Sequence, residues 1–408
     1  RFCLRHRFAT AAFWRAMSQT LFTLALAVGV TQVARQLESP YKELLLFLVC
    51  VGALAGSSLA TQWSGERVDG PAPPPGWSWW QPSDGAAASG AAAEERSSLE
   101  APRPEVLVLP SAARQQDSLA ILIVPGNPGI PHLYCDFGRE LQTAAGDAAP
   151  WIYIVGYLNF ATSAVEAAAR ESEGLAPVEA EAEAIGGVLG ELQALHAARG
   201  VVLFGHSLGG WVIAEHLRSA GEAMLEGVRL AVFAMPYLEY DPAGARQTFL
   251  QRVLPLLPVR FIAVTMLALP ARLQSLLASA AAGPYQASTI LATFCRQPHH
   301  FVGMVGIACS KFQRLDPQKS RGAGLAEVRT MLERPGRPPV LAAYTQDDVW
   351  APMKHAKLLK ELLDDRDELL NLALGDAPES PPQHSFVLSP SHMQAMAACV
   401  AARLPASE

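Results

Sequence analysis

Ser207 stands at the centre of Gly205-His206-Ser207-Leu208-Gly209, between the apolar run Val201-Val202-Leu203-Phe204 and a helix-like segment opening with Gly210-Trp211-Val212-Ile213-Ala214. A strand, a glycine-flanked serine and a helix in that order read as a nucleophile elbow. The turn is so tight that only small residues fit two before and two after the serine. It lifts the hydroxyl clear of the sheet, and the following helix N-terminus favours negative charge developing beside it. The pentapeptide alone is a moderate signal, because an ordinary glycine-rich turn is spelled the same way. Bracketed by strand and helix, it makes Ser207 the candidate nucleophile.

A serine hydroxyl needs an imidazole to take its proton and a carboxylate to hold that imidazole in the right tautomer. Asp348 follows the apolar run Val340 to Tyr344, and His384 lies in Gln383-His384-Ser385-Phe386 after a further apolar run, Leu369 to Leu374. The chain order Ser207, Asp348, His384 is that of α/β-hydrolases. Asp347 is the rival acid, but Asp348 stands four residues before Pro352, the usual spacing to the proline that starts the next helix. Among other histidines, His206 reads as structural and His392 as a helix start. His299-His300 reads as packing rather than a metal site, since no carboxylate or cysteine is spaced with the pair. The oxyanion hole has one donor in the Leu208 amide. The second belongs to the loop Pro125-Gly126-Asn127-Pro128-Gly129, and because Pro128 has no N–H, Asn127 is its candidate.

These residues need a scaffold that brings several loops to one edge. From about Glu105, apolar runs alternate with helical patterns: strands over Leu119–Val124, Trp151–Gly156, Val201–Phe204, Val228–Ala234, Val340–Tyr344 and Leu369–Leu374, and helices over Ile130–Ala145, Val178–Arg199 and Ser391–Leu404. Such alternation predicts an α/β fold, with a mostly parallel central sheet and helices on both faces. A cap insertion is expected over about 236–338. Its stretch Leu250 to Leu277 is very apolar and is cut by Pro255, Pro258 and Pro270 into pieces too short to span a bilayer. Arg252, Arg260 and Arg272 could snorkel to headgroups, giving a lid on a lipid surface; a cap buried on its own domain is the other reading.

The rest of the chain differs. Of 408 residues 50% are hydrophobic and 17% charged, and the net charge of -6 with no long basic run argues against nucleic acid as a partner. The six cysteines are scattered without metal-ligand spacing, which fits reduced thiols better than a disulfide framework. Residues 1–63 carry two apolar runs, Leu21–Ala34 and Leu44–Ala60, behind an arginine-rich start. They read as a two-segment membrane anchor, an organelle-targeting presequence, or helices of a soluble domain. Residues 64–104 read as a Pro/Gly/Ala/Ser-rich linker, in which Trp77, Trp79 and Trp80 suit a membrane interface or packing on the following domain. Residues 105–408 form the expected catalytic domain.

Pro125-Gly-Asn-Pro-Gly129, Leu133-Tyr134, Phe137, Gly205-His-Ser-Leu-Gly209, Asp348-Val-Trp-Ala-Pro352 and His384-Ser-Phe386 together resemble the lipid droplet-associated hydrolase family, over roughly Leu119 to Leu404. The resemblance implies an α/β-hydrolase fold and a serine esterase acting on lipid esters, such as sterol esters or acylglycerols, at lipid droplets or the endoplasmic reticulum membrane. Carried over by motif, Ser207, Asp348 and His384 take the triad roles, and Asn127 and Leu208 the oxyanion roles. No cofactor or metal is required. Two departures, Leu133 where the family often has Phe and Val178-Glu179-Ala-Glu181 in place of Gln and His-Lys, bear on substrate rather than on the triad. A droplet-organising protein with little turnover, and an acyltransferase using the same triad, are the alternatives. A plastid or other organelle is the alternative location.

Overall fold

The computed structural model describes residues 71–80, 103–161 and 175–405, apart from 258, 260, 261, 264, 265, 267, 268, 296, 321–323, 347 and 373–381. The N-terminal apolar runs therefore lie outside the described residues, as does Asp347. Among the described residues no helix is long and apolar enough to cross a membrane.

Among the described residues, eight strands form one sheet: β1 (Ser78–Trp79), β2 (Val106–Leu109), β3 (Ala120–Val124), β4 (Trp151–Val155), β5 (Val201–His206), β6 (Val228–Ala234), β7 (Val340–Tyr344) and β8 (Glu368–Asn371), in the order β1-β2-β4-β3-β5-β6-β7-β8. The β1–β2 and β2–β4 pairs are antiparallel, and every other pair is parallel. Strands β3, β5 and β7 are buried along their whole length, as uninterrupted apolar runs covered on both faces should be. Strand β8, at the sheet edge, is half-buried throughout and shorter than the apolar run Leu369–Leu374 suggested.

The helices are α1 (Cys135–Ala144), α2 (Val178–Leu195), α3 (Leu208–Ser219), α4 (Glu222–Glu226), α5 (Ala245–Val253), α6 (Ala271–Ile290), α7 (Pro298–Arg314), α8 (Leu325–Leu332), α9 (Met353–Lys360) and α10 (Pro390–Ala401). They cover both faces of the sheet. Neighbouring residues of a strand point to opposite sides. On β5, Phe204 meets Phe137 of α1 with ring centroids 4.9 Å apart, whereas a side chain at Gly205 would strike Ile213 of α3. Helices α1 and α10 pack together, and α3 packs with α2 and α8.

Strands β1 and β2 are not among the strands expected from the sequence, and β1 lies inside the expected linker. Its two residues pair with β2, Ser78 opposite Val108 and Trp79 opposite Leu107. Trp77 is buried beside Gly138 of α1, where an added Cβ would come within 2.8 Å of the indole. Trp79 and Trp80 set their rings edge-on to His132 and Tyr153. Of the two readings for these tryptophans, packing on the domain is what they do. Strands of two and four residues carry too little alternation to register as a pattern.

The insertion between β6 and β7 carries α5 to α8. Chain breaks fall at prolines: Pro255 in a single tight turn (Leu254–Leu256), Pro270 immediately before α6, and Pro284 inside α6. There Gly283 takes φ +73°, so α6 is two helices joined at a kink. Buried glutamines pin it at both ends. Gln274 donates to the Met266 carbonyl (2.8 Å) and Gln286 to the Val387 carbonyl (3.2 Å).

Candidate active site

Ser207 joins β5 to α3 with φ +52° and ψ -119°. A non-glycine residue held there costs about 1–3 kcal/mol and persists only where its surroundings over-determine it. Here they do. The Ser207 N–H donates to the Ala234 carbonyl (3.1 Å), and the Ser207 carbonyl accepts from Gly210 (3.0 Å) and Tyr237 (2.9 Å). The small residues around the turn are required by contact. A Cβ at Gly209 would sit 2.2 Å from the Val124 carbonyl oxygen, and one at Gly126 would sit 2.9 Å from the Ser207 Cβ. The loop after β3 therefore lies directly against the serine.

His384 closes the arrangement. Its Nε2 lies 2.9 Å from Ser207 Oγ and its Nδ1 2.7 Å from Asp348 Oδ2. Because a carboxylate can only accept, Nδ1 carries the proton and Nε2 is free to accept from the serine hydroxyl. The Asp348 carboxyl is fully buried, and its Oδ1 accepts from the Trp350 (2.8 Å) and Ala351 (3.0 Å) amides. Burial alone would raise its pKa. The His384 hydrogen bond and charge, with the two amides, outweigh burial and hold it below the ordinary carboxylate value. Phe386, two residues beyond His384, anchors the histidine loop against Phe137 and His206, each at a centroid distance of 5.0 Å.

The two expected oxyanion donors occupy the expected elements. Leu208 is the first residue of α3, so its N–H has no acceptor within the helix. In the loop after β3, the Gly126 N–H is committed to Tyr134 Oη (2.9 Å) and Pro128 has none, which leaves the Asn127 amide. The Asn127 side chain ties the loop to the cap by donating from Nδ2 to the Met304 carbonyl of α7 (2.9 Å). Such an arrangement can move a proton from a hydroxyl to an imidazole while two amides receive an oxyanion.

A cavity of about 370 Å³ opens onto these groups, lined by Asn127, Ser207 and His384 and by apolar side chains from the cap, among them Ile262, Leu277, Phe294, Phe301 and Met304. Tyr134 and His206 also border it. Among the described residues no group of His, Cys, Asp and Glu could hold a metal ion. The His299 Nε2 contacts the Ala161 carbonyl (2.9 Å) and the His300 Nδ1 the Thr293 carbonyl (2.8 Å), so this pair fastens the start of α7.

Nothing in the sequence pattern singles out Tyr134 beyond its place in a motif, and His206 reads there as structural. In the fold the two are joined, Tyr134 Oη lying 2.6 Å from His206 Nδ1. The signal available is a hydroxyl eight residues past Gly126, at the end of the single turn Pro131–Tyr134 that follows the Asn127 loop.

The sheet order, with a strand–serine–helix elbow at its centre, is that of the α/β-hydrolase fold. Residues 117–387, more than half of the chain, match the family described as lipid-droplet associated hydrolase, and the chain belongs to that family. No curated protein sequence matches. Solved structures similar to it include a thermophilic esterase from Thermogutta terrifontis, 16% identical over 73% of this chain and 94% of that one, with a TM-score of 0.45. MGS-M2, an alpha/beta hydrolase enzyme from a Medee basin deep-sea metagenome library, is 13% identical over 74% and 96%, with a TM-score of 0.48. A monoacylglycerol lipase from Paleococcus ferrophilus is 16% identical over 70% and 93%, with a TM-score of 0.41.

Proposed function

We propose that this chain hydrolyses lipid esters, such as sterol esters or acylglycerols, at the surface of lipid droplets. The observation that carries the reading is a single imidazole bridging Asp348 (2.7 Å) and Ser207 (2.9 Å) at the wall of an apolar cavity. His384 takes the Ser207 proton as Oγ attacks the ester carbonyl. The tetrahedral oxyanion receives the Leu208 and Asn127 amides. Its collapse breaks the ester C–O bond, and the alcohol leaves with the proton from His384. Water, deprotonated by the same imidazole, then attacks the acyl-serine and releases the acid. An apolar cavity suits an acyl chain because it exchanges ordered water for hydrocarbon contacts. The family's own description supports the droplet surface.

The test is labelling with a fluorophosphonate, then a panel of emulsified lipid esters with and without an alcohol acceptor. Labelling confined to Ser207, abolished by Ser207→Ala in a folded protein, together with acid release, is the expected outcome. Acyl transfer to the alcohol in preference to water would make the chain a transferase. Absence of both labelling and turnover would leave a droplet-organising protein.

A further inference from the structure

Two catalytic loops meet behind the serine through a buried chain of hydrogen bonds. The Gly126 N–H lies 2.9 Å from Tyr134 Oη, Tyr134 Oη 2.6 Å from His206 Nδ1, and His206 Nε2 2.8 Å from the His384 carbonyl oxygen. The chain begins at an amide, which can only donate, and ends at a carbonyl, which can only accept. With a neutral imidazole every direction between is then determined. Nε2–H donates to the carbonyl, Nδ1 accepts from the tyrosine O–H, and the tyrosine oxygen accepts from Gly126. Protonating His206 would put a second donor against the hydroxyl and orphan its hydrogen. Burial, with the neighbouring His384, pushes the His206 pKa down to about 3. The charged or titratable groups around His206 are Tyr134, His384 and, through His384, Asp348.

We propose that Tyr134 and His206 are positioning residues that hold the Asn127 amide and the His384 ring in register with one another. Tyr134 draws the Gly126 amide away from the serine and so sets the loop that presents Asn127. His206, next to the nucleophile in sequence, holds the main chain of His384. The elbow thus carries a strut to each catalytic loop. One strut failing moves a donor or a base without emptying the cavity, and a displacement of about 1 Å costs about a hundredfold in rate.

The kinetic part of the test rests on the esterase reading above, and the spectroscopic part does not. In full-length protein with ¹⁵N-labelled histidine, His206 should be a neutral Nε2–H tautomer that does not titrate from pH 5 to pH 8. Tyr134→Phe should shift the proton resonance of His384 Nδ1–H. With an activated ester and sites counted by burst titration, Tyr134→Phe should lower kcat per site about ten- to a hundredfold while KM stays within about twofold. Gln keeps a donor near Nε2 and Asn an acceptor near Nδ1, so His206→Gln should retain the His384 resonance position better than His206→Asn. An Nδ1–H tautomer, a titration inside that range, or unchanged kcat per site in Tyr134→Phe overturns the proposal. If the parent protein neither acylates nor turns over, the esterase reading falls and the NMR arm still decides this one.

Discussion

At the residue scale, the Asp348 carboxylate sets the tautomer of His384, so its charge and its acceptor character can be separated. Asparagine keeps one oxygen for the Trp350 and Ala351 amides but turns an NH₂ toward His384 Nδ1. The imidazole must then carry its proton on Nε2 and can no longer accept from Ser207. Asp348→Asn is expected to lower kcat about 10⁴-fold in a folded protein, and Asp347→Asn to leave it close to the parent value, both measured with an activated ester. The same carboxylate carries a pH signature. Its folded pKa is depressed, so its stabilising contribution is present above the unfolded value of about 3.9 and is lost as pH falls through the folded value. Urea midpoints of parent and Asp348→Asn should differ most above pH 5 and converge below pH 4. The meeting of Ser207, His384 and Asp348 was legible because each sits in its own local motif: a glycine-flanked serine, an acid four before a proline, and a histidine after a strand. The Tyr134–His206 bond was not, since it joins residues 72 apart and its direction depends on a carbonyl from a third loop.

Elements show a similar division. The long buried runs of β3, β5 and β7 announce themselves, whereas β1 depends on a partner strand and on one large side chain. Trp77 fills the space that Gly138 leaves on α1, so Trp77→Ala opens a cavity that neither element can close. A loss of about 3–5 kcal/mol is expected for removing a buried tryptophan, read as a fall in the urea midpoint with the fold retained. Helix α7 holds a different kind of stress. Lys311 is buried, its Nζ 4.2 Å from the centre of the Tyr237 ring and 4.9 Å from that of Trp350. Burial pulls its pKa down to about 7, opposed by the ring faces, which favour the ammonium. From there up to the unfolded value of about 10.4 the unfolded chain keeps a proton that the folded chain sheds, so stability rises with pH. Lys311→Met should therefore be more stable at pH 7 and should flatten the rise between pH 7.5 and pH 9. Equal slopes for parent and variant would show the ammonium to be held by the aromatic cage instead.

For the whole molecule, the proposed action at droplets needs a lipid-binding surface. Two features of the chain are strongly apolar. One is the pair of runs at Leu21–Ala34 and Leu44–Ala60. The other is the cap, where Leu277 of α6 lines the cavity while its neighbour Leu276 is 63% exposed, and Leu256 before it is 80% exposed. A helix apolar on its inner and outer faces gains from a hydrocarbon surface and gains nothing from water. If both features bind lipid, the second acts at the high effective concentration created by the first. A chain beginning at residue 71 keeps Trp77 and β1 and so should keep the fold. In flotation with triacylglycerol droplets it is expected to bind more weakly than the full chain without being released. Adding Leu256→Glu and Leu276→Glu should release it, because two exposed leucines that would enter the lipid are exchanged for two charges that must stay hydrated. Hydrolysis of a water-soluble ester should be unchanged, since neither side chain lines the cavity. If the chain from residue 71 ignores droplets from the outset, the cap is not a lipid contact. The first seventy residues then carry the address alone, and an organelle other than the droplet becomes the destination to test.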